Sequence, residues 1–456
     1  MAKNKNNLVY FCKECGYEST KWLGQCPSCK SWDSFVEEVK IIEKNNDIFT
    51  EISKRPDIIP KTIDEINDKE FEKTKIGIDE FDNLIGGGIV KGSLTLLGGS
   101  PGIGKSTLII QIAKKLGEQN KSVLYVSGEE SLSQIKLRAN RIGKFSDSVK
   151  FVSETNINKI IKLALNTNPD LLIIDSIQTM SSDVEDKTPG SISQVKTATS
   201  NFFRLSKEYN ISTIIIGHIT KAGSVAGPKL MEHMVDTVLY FEDDALKNLR
   251  ILRCRKNRFG SSDELAVFEM NETGLKEITN PSEIFLEGRP KDATGCVVTC
   301  IIESNKPILI EVQALVTKSS YGMARRNANG IDINRLNLLI AIIEKRMQIP
   351  LFEYDIYVNI TGGLKIKDAS IDLAIIMAII SSYSNKVLGD DVIYCGEVGL
   401  SGEVRSIVNV NKRIQEGMKL GFKKIFLPKS NIDNIDKNTL EKYKDIEIKA
   451  ITDLMT

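Results

Sequence analysis

The sequence has 456 residues, too many for one ordinary hydrophobic core, and this length predicts roughly three domains. Hydrophobic residues make up 41% of the chain and charged residues 27%, which is typical of globular proteins and excludes a disordered or fibrous one. The 61 basic and 60 acidic side chains leave a net charge of +1, so any affinity for nucleic acid must come from a local patch. The chain lacks an apolar run of membrane-spanning length and an N-terminal secretory signal, so we expect a cytoplasmic protein without membrane contacts.

Four of the eight cysteines lie close together near the N-terminus, in two Cys-x-x-Cys pairs, and the other four are scattered. Two such pairs predict a tetrahedral zinc site, and four protein ligands make it structural, because no open position remains for catalysis. The alternative is a redox-active pair, which the second pair disfavours. The predicted zinc ligands are Cys12, Cys15, Cys26 and Cys29, and the predicted buried thiols are Cys254, Cys296, Cys300 and Cys395.

The zinc module is predicted over residues 1–35, and a charged stretch with two prolines predicts a linker over residues 36–72. From Ile76 onward, apolar segments alternate with helical ones, which is typical of an α/β domain with a parallel sheet. We place this domain at residues 73–280. Its predicted elements include a helix from Lys105 to about Gln119 and strands at 170–175, 212–217 and 237–241.

A second α/β domain is predicted over residues 285–456, after two further prolines. It opens with strand-like segments at 295–304 and 307–316. An amphipathic helix follows, with its apolar face formed by Leu336, Leu339, Ile340 and Ile343.

A phosphate-binding loop is predicted between the apolar segment SLTLLG and the following helix. Its glycines allow backbone amides to surround phosphate oxygens, Lys105 neutralises the terminal phosphates and Ser106 ligates Mg²⁺. An ordinary glycine turn is the alternative, and the strand before and helix after the loop disfavour it. The predicted nucleotide contacts are Gly99, Ser100, Pro101, Gly102, Ile103, Gly104, Lys105, Ser106 and Thr107.

Three carboxylates follow apolar strands and are candidates for the chemistry of this site. Asp175 ends the strand LLIID, the position from which a carboxylate holds Mg²⁺ through water, so we add it to the nucleotide and magnesium ligands. Glu129 and Glu130 end the segment LYVSGEE, and either is suited to activate the attacking water. The alternative is two solvated acids at a helix start, which suit the helix dipole.

Residues 247–258 contain six basic side chains and no acidic one, which predicts a local positive field unless this is a solvated strand and loop. This segment runs into the motif KNRFG at residues 256–260. The segments GGSPGIGKST, LLIIDSIQT and IIIGHITKAGSVAGPKLMEHMVD precede it in the same order. Together with the zinc module, they resemble the RadA (Sms) family of bacterial DNA repair proteins over nearly the whole chain.

The resemblance implies a zinc ribbon, a RecA-like ATPase core and a Lon-protease-like domain, an α/β fold overall. It implies that Glu129 is the catalytic glutamate and that His218 senses the γ-phosphate. It also implies that Lys256 and Arg258 reach a neighbouring subunit's nucleotide or DNA. The loop 220–233, with Lys221 and Lys229, occupies the place of a DNA-binding loop, although a plain flexible loop is an alternative.

The last domain resembles the Lon protease domain in two stretches, GGLKIKDASIDLAIIMAIISS and GEVGLSGEVRSIVNVNKRI. Lon-type proteolysis needs a serine activated by a lysine. Ser370 falls near the serine position, but Asn411 stands where the lysine belongs and Lys412 is one residue away. We therefore expect a fold kept for assembly and DNA contact, with a phosphate-binding surface at Lys318, Arg325 and Arg326, near Tyr321.

The function implied by the resemblance is a DNA-dependent ATPase of DNA repair and homologous recombination, with ATP, Mg²⁺ and Zn²⁺ as cofactors. Its implied partners are single-stranded and branched DNA, the recombinase RecA and further copies of the chain in a hexameric ring. Branch migration or strand extension of recombination intermediates is the implied activity. A Lon-type ATP-dependent protease and a RecA-like nucleotide switch without a DNA role are the alternatives.

Overall fold

The computed structural model describes residues 7–40, 62, 72–182, 190–218, 228–244, 249–319, 324–361, 365–435 and 441–455. The chain divides into two compact units. The first unit comprises Met1–Asp243 and Leu249–Ile278, and the second comprises Asp244–Asn248 and Thr279–Thr456.

A small antiparallel sheet opens the first unit. Its strands are β1 (Asn7–Cys12), β2 (Glu18–Ser19) and β3 (Phe35–Lys40), in the order β2-β1-β3. Cys12 and Cys26 are fully buried and pack with Phe35, so cysteines form a large part of the small core of this segment. A segment this short needs a metal to complete such a core.

The rest of the first unit alternates strands and helices as the sequence predicts. Its first elements are β4 (Lys73–Thr74), α1 (Asp79–Leu84), β5 (Ile89–Val90), β6 (Leu94–Gly99), α2 (Lys105–Glu118), β7 (Val123–Ser127), α3 (Leu132–Ile142), β8 (Val149–Ser153) and α4 (Ile157–Thr167). The later elements are β9 (Leu171–Asp175), a 3₁₀ helix (Ile177–Thr179), α5 (Ile192–Tyr209), β10 (Ser212–His218), α6 (Pro228–Met234), β11 (Thr237–Asp244), β12 (Leu249–Asn257), β13 (Leu265–Asn271) and β14 (Gly274–Ile278).

Nine strands form one sheet in the order β14-β13-β12-β11-β6-β10-β9-β7-β8. The six strands from β11 to β8 pair in parallel, whereas β12, β13 and β14 pair with one another antiparallel. Residues of α2 and α3 pack on one face of the sheet and residues of α4 and α5 on the other. Both faces are thus covered, which is why the central strands consist almost entirely of apolar residues.

The register of the parallel strands brings the ends of β6, β9, β10 and β7 to one edge of the sheet. Gly99 at the end of β6 pairs with His218 at the end of β10. Asp175 at the end of β9 pairs with Ser127 at the end of β7. Side chains that follow these strands therefore lie close together, at the edge where open α/β sheets bind their ligands.

The second unit contains one mixed seven-stranded sheet in the order β17-β18-β16-β15-β19-β22-β23 and a separate β20-β21 pair. Its elements are α7 (Pro281–Leu286), β15 (Cys296–Glu303), β16 (Lys306–Lys318), β17 (Arg326–Asn329), α8 (Ile333–Met347), β18 (Tyr354–Ile360), α9 (Asp372–Ser384), β19 (Val392–Tyr394), β20 (Glu397–Val398), β21 (Val404–Arg405), α10 (Val410–Lys419), β22 (Lys424–Pro428), α11 (Lys429–Ile432) and β23 (Glu447–Ile451). Two 3₁₀ helices lie at Leu351–Glu353 and Ala369–Ile371.

The predicted helix after β17 is confirmed as α8, and its four predicted apolar residues are all buried. Its N-cap is Asp332, whose carboxylate accepts hydrogen bonds from the amides of Asn334 and Arg335. Helix α9 is apolar on nearly every side and buried along most of its length, as a central helix must be. Within the part of the chain that the structure describes, no helix is long and apolar enough to cross a membrane.

Candidate functional site

The phosphate-binding loop joins β6 to α2 through residues in conformations that favour glycine. Gly99, Gly102 and Gly104 have φ angles of 151°, 77° and 116°. A Cβ atom on Gly99 would lie 2.9 Å from the Cβ of Phe241, so a side chain there would clash with β11. The loop leads directly into the first turn of α2, whose unpaired amides and dipole favour a bound phosphate.

Lys105, the first residue of α2, lies beneath this loop and is only 3% exposed. Its ammonium donates hydrogen bonds to the carbonyl oxygens of Gly99 at 2.8 Å and Ser100 at 2.9 Å. Burial lowers the pKa of Lys105 to about 8, although the negative charges of Asp175 and Glu129 oppose this shift. Lys105 is thus held inside the loop, and the charges of neighbouring groups affect its protonation.

His218 links this lysine to Glu129. Its Nδ1 lies 3.1 Å from the Lys105 ammonium, and its Nε2 lies 3.0 Å from the Glu129 carboxylate. Because an ammonium can only donate, Nδ1 accepts and Nε2 carries the hydrogen that is donated to Glu129. Ser176 donates a second, short hydrogen bond to the same carboxylate oxygen. The bond from His218 lowers the pKa of Glu129, which is therefore ionised at neutral pH.

Glu130 has different partners from Glu129. Its carboxylate forms a short ion pair with Arg138 of α3, and its amide donates to the Ser127 hydroxyl at 2.9 Å. Glu129 lies between His218 and Ser176, whereas Glu130 is neutralised by a cation on the following helix. Of the two glutamates, only Glu129 contacts the side chains around Lys105.

Asp175 is 5% exposed and accepts a hydrogen bond of 2.5 Å from the Tyr125 hydroxyl. Burial and the adjacent carboxylate raise the pKa of Tyr125 far above its usual value, so the phenol remains a donor. A cleft of about 450 Å³ lies outside these strand ends, and its lining includes Lys105, Ser106, Glu129 and His218. A hydroxyl and a buried carboxylate near the phosphate loop are the oxygen donors that Mg²⁺ prefers, so the residues fit a nucleotide with its metal.

The four clustered cysteines form the second candidate site. All four sulfur atoms lie within 4.8 Å of one another, and the Cys12–Cys29 and Cys15–Cys26 distances are both 3.6 Å. Each Cys-x-x-Cys pair ends in a tight turn, in which Gly16 donates to the Cys12 carbonyl and Lys30 to the Cys26 carbonyl. Both donors have positive φ angles, 68° and 59°. Four converging thiols at this spacing fit a tetrahedral zinc ion.

The KNRFG motif lies near the first residues of the parallel strands, whereas the phosphate loop follows the last residue of β6. The Lys256 ammonium donates to the carbonyls of Glu232 at 2.7 Å and Val235 at 2.8 Å, where α6 ends. Arg258 pairs at 3.3 Å with Asp236, whose other oxygen accepts from the amide of Leu94, the first residue of β6. The motif and the loop are thus separated by the length of β6, about 17 Å. Lys256 and Arg258 do not join the residues around Lys105 in the same chain.

The other described basic residues before KNRFG are also paired within the first unit. Arg253 and Arg255 both contact Glu242, at 3.1 and 3.0 Å, and Arg250 donates to the carbonyl of Ile103 in the phosphate loop at 3.1 Å. One carboxylate of β11, Glu242, thus faces two arginines, so it compensates only part of the positive charge that this run carries. Arg250 supports the loop that binds phosphate.

Among the described residues of the second unit, no lysine contacts Ser370. The Lys412 ammonium instead reaches the carbonyl of Asn305 at 3.0 Å, and Asn411 is exposed. The basic group at Ser370 is Arg413, which is fully buried and donates to the Ser370 hydroxyl at 2.8 Å. It also pairs with Asp368 at 2.9 Å. A guanidinium stays protonated, so it cannot take a proton from the serine.

Comparison with known proteins assigns each of these regions. Residues 10–37 match the rubredoxin metal binding domain, residues 60–224 match the AAA domain, and residues 333–431 match subunit ChlI of Mg-chelatase. The DNA repair protein RadA of Streptococcus pyogenes serotype M6 is 46% identical over 96% of this chain and 95% of its own length. The chain belongs to the RadA family.

Other RadA proteins show the same extent of similarity. Those of Bacillus subtilis and Halalkalibacterium halodurans are 45% and 44% identical, over 96% and 95% of this chain and 95% and 94% of their own lengths. Among solved structures, a KaiC-like protein of Pyrococcus horikoshii is 20% identical with a TM-score of 0.38, covering 46% of this chain and 99% of its own. The predicted fold is confirmed: a zinc ribbon, a RecA-like ATPase core and a Lon-like α/β domain. The cofactors of the protein are Zn²⁺, ATP and Mg²⁺, and the four clustered cysteines fit the zinc ion.

The predicted DNA-contact residues fall in both units of the chain. Lys318 and Arg325 are exposed at the ends of neighbouring segments of the second unit. Arg326 is half-buried, and its guanidinium donates to the backbone carbonyls of Tyr354 and Leu351 at 2.7 and 3.1 Å, so it holds the chain in place. Lys221 and Tyr321, with most of the predicted loop 220–233 and of the linker 36–72, lie outside the described residues, as does the side chain of Lys229.

Sequence reasoning missed several partners of the nucleotide site. Tyr125, Ser176, Arg138 and Arg250 each contact one of its predicted residues or the loop. Ser176 follows Asp175 directly, and Tyr125 lies on β7, the strand that Glu129 follows, so the rule that parallel strands end at one edge could have found both. No local pattern marks Arg138 or Arg250, because their contacts depend on how distant segments pack.

Proposed function

We propose that this protein is a DNA-dependent ATPase that acts in DNA repair and homologous recombination. Its action would be to bind single-stranded and branched DNA and to promote branch migration or strand extension. The observation that carries this proposal is the line of contacts Lys105–His218–Glu129 beneath a complete phosphate loop, in a chain of the RadA family. Such an arrangement gives an ATPase with a defined base and a sensor between base and phosphate.

In this proposal, Glu129 accepts a proton from the water that attacks the terminal phosphate. Its ionised carboxylate, oriented by His218 and Ser176, supports this role, and the ion pair of Glu130 with Arg138 argues against Glu130. Lys105 stabilises charge on the phosphates, while Ser106 and Asp175 hold the magnesium ion. His218 contacts both Lys105 and Glu129, so a change at the phosphate would alter the contacts of the base.

DNA dependence requires a path from DNA to this site, and β10 offers one. His218 is the last residue of β10, and the sequence that follows contains Lys221 and then Lys229. Contact of these lysines with DNA would shift His218, and through it Glu129. This path is the reason why we expect DNA to stimulate hydrolysis rather than only to bind.

Arg258 is the proposed contact with a neighbouring subunit's nucleotide or with DNA. Half of its side chain is exposed, and it lies too far from its own phosphate loop to act there. Lys256 would support it by fixing the end of α6. The proposed assembly is a hexameric ring that cooperates with RecA in the cytoplasm, with Lys318, Arg325 and Arg326 as further proposed DNA contacts. The proposed domains are residues 1–35, 73–280 and 285–456, with a linker at 36–72 between the first two, although β3 extends the sheet of the first domain to Lys40.

The test is the rate of ATP hydrolysis by the full chain with and without single-stranded DNA. We expect DNA to raise the rate, and we expect Lys105→Ala to abolish hydrolysis both with and without DNA. A rate that DNA leaves unchanged, in a protein that hydrolyses ATP and depends on Lys105, would contradict DNA dependence and leave a nucleotide switch.

A further inference from the structure

The zinc ribbon carries two highly exposed tryptophans. Trp32 is 74% exposed, more than any other large hydrophobic side chain in the described part of the chain, and Trp22 is 52% exposed. These two are the only tryptophans in the sequence. Tryptophan is among the most buried residue types on average. Two solvent-exposed tryptophans on one small ribbon therefore indicate a binding surface.

The two indole rings flank one glycine. A Cβ atom on Gly24 would lie 3.9 Å from the ring atoms of Trp22 and 3.9 Å from those of Trp32, so the rings are at most twice that distance apart. The backbone between them is fixed, because the Asp33 amide donates to the Gly24 carbonyl at 2.8 Å and Gln25 pairs with Trp32 in a β-bridge. The result is a rigid opening with aromatic sides and a floor without a side chain.

The surroundings of this opening are polar and basic. Residues 19–32 contain Lys21 and Lys30, both exposed, and neither aspartate nor glutamate; the nearest acidic residues in sequence are Glu18 and Asp33. Four thiolates around one zinc ion leave a net negative charge, which these lysines offset. The electrostatic attraction of phosphate to this surface is therefore modest. Its apolar area is confined to two rings and is far smaller than the apolar core of a stable protein interface.

We propose that Trp22 and Trp32 form a stacking site for the bases of single-stranded nucleic acid, with Lys21 and Lys30 contacting the backbone. Aromatic side chains bind bases of any sequence through their π faces, and a floor of glycine lets a planar base enter between two rings. This inference rests on the proposed function as a DNA-binding protein, and it adds the zinc ribbon to the surfaces that would touch the strand.

Intrinsic fluorescence tests this proposal without any label on the protein, because both tryptophans lie at the site. We expect the emission of the zinc-loaded full chain to fall and saturate as oligothymidylate is added. An abasic oligonucleotide of the same length, which keeps the phosphates and lacks the bases, should quench far less. Binding measured in parallel by the anisotropy of a labelled oligonucleotide shows whether DNA binds anywhere on the chain.

Substitutions provide the second test. Trp22→Ala and Trp32→Ala should each weaken oligonucleotide binding about fivefold or more, since stacking contributes that much per base, while Trp22→Phe should retain most of it. Leu400→Ala, at a large hydrophobic residue of the second unit that is 66% exposed, is the matched control and should leave binding unchanged. Zinc content of each variant, measured by metal analysis, shows that the ribbon has kept its fold.

The possible results separate this inference from the proposed function. DNA that binds by anisotropy but leaves tryptophan emission unchanged would overturn the stacking site and leave the proposed function standing. Equal quenching by the abasic strand, or zinc-loaded alanine variants with normal affinity, would also overturn it. The absence of any DNA binding would contradict both.

Discussion

Glu129 and Glu130 illustrate how neighbouring residues acquire different chemistry from their contacts. Both follow β7 at the edge of the sheet where the nucleotide cleft lies. Glu129 lies between a histidine and a serine, and its pKa is lowered mainly by the hydrogen bond from His218. Glu130 is paired with Arg138 on α3. An ionised, oriented carboxylate is suited to accept a proton from water, whereas a carboxylate in an ion pair is not.

Exchange of each glutamate for glutamine tests this assignment. Glu129→Gln should bind ATP normally but lower the turnover rate about a hundredfold or more, because the amide cannot accept the proton. Glu130→Gln is the matched control and should change turnover by much less. Nucleotide affinity and single-turnover rates of both variants provide the measurement. Full turnover in Glu129→Gln, with loss in Glu130→Gln, would show that the base is the second glutamate.

The pKa of Lys105 predicts how nucleotide binding depends on pH. Burial lowers this pKa to about 8 in the free protein, and the charge of bound phosphates should raise it again. Binding then takes up a proton above about pH 8, so affinity should be constant below that value and fall as the pH rises, by at most about tenfold per unit. The dissociation constant of a non-hydrolysable ATP analogue, measured across this range, is the test. A constant affinity up to pH 10, near the usual pKa of lysine, would contradict the prediction.

The fold of the zinc ribbon depends on its metal. Its core consists of buried cysteines and few other apolar residues, so four thiolates would repel one another without a cation to hold them. We expect one zinc ion per chain. Cys26→Ala should lose it and unfold residues 7–40, whereas Cys254→Ala, at a buried cysteine of β12, should keep it. Metal analysis and protease sensitivity of the ribbon are the measurements, and a zinc-free preparation with an intact ribbon would refute the prediction.

Lys256 connects two elements, β12 and α6. Its ammonium binds carbonyls where α6 ends, and a cation there also suits the helix dipole. Burial and the adjacent Arg258 lower the pKa of Lys256. The helix that it fixes forms the last part of the segment 220–233 that is predicted to contact DNA, so Lys256 holds this part of the segment against β12.

We expect Lys256→Ala to fold, keep its zinc and bind ATP, but to lose DNA-stimulated hydrolysis and branch migration. The local cost is about 1–3 kcal/mol for the lost charge-assisted hydrogen bonds, too little to unfold the domain. Arg255→Ala, which removes an exposed cation that pairs with Glu242, is the control and should retain stimulation. Normal DNA-stimulated turnover in Lys256→Ala would show that the motif is only structural.

Proteolysis driven by ATP hydrolysis would require a working serine site in the second unit. Arg413 occupies the position next to Ser370, and its charge and hydrogen bonds hold the pKa of Asp368 below its usual value despite burial. We predict that the full chain does not digest casein with ATP, and that Ser370→Ala leaves ATP hydrolysis unchanged. Casein cleavage by the native chain that is lost in Ser370→Ala would contradict this prediction.

Several features of this molecule can be predicted from short stretches of its sequence. A metal site can be predicted from the two Cys-x-x-Cys pairs, because each pair needs only one local turn for its thiols to converge. The residues are Cys12, Cys15, Cys26 and Cys29. The predicted phosphate loop is equally local, since the strand, the glycine turn and the helix that define it follow one another in the chain. The alternating apolar pattern predicts the parallel sheet, because strands covered on both faces must be apolar throughout.

Contacts between residues far apart in the chain are determined by the tertiary structure. Lys105 meets His218 across 113 positions, and Ser370 meets Arg413 across 43. The basic run into KNRFG predicts a positive field, and three of its arginines contact Glu242 or Asp236, which compensate part of its charge. Spacing along a chain says nothing of such partners, because the register of the sheet and the packing of its helices determine which side chains face each other.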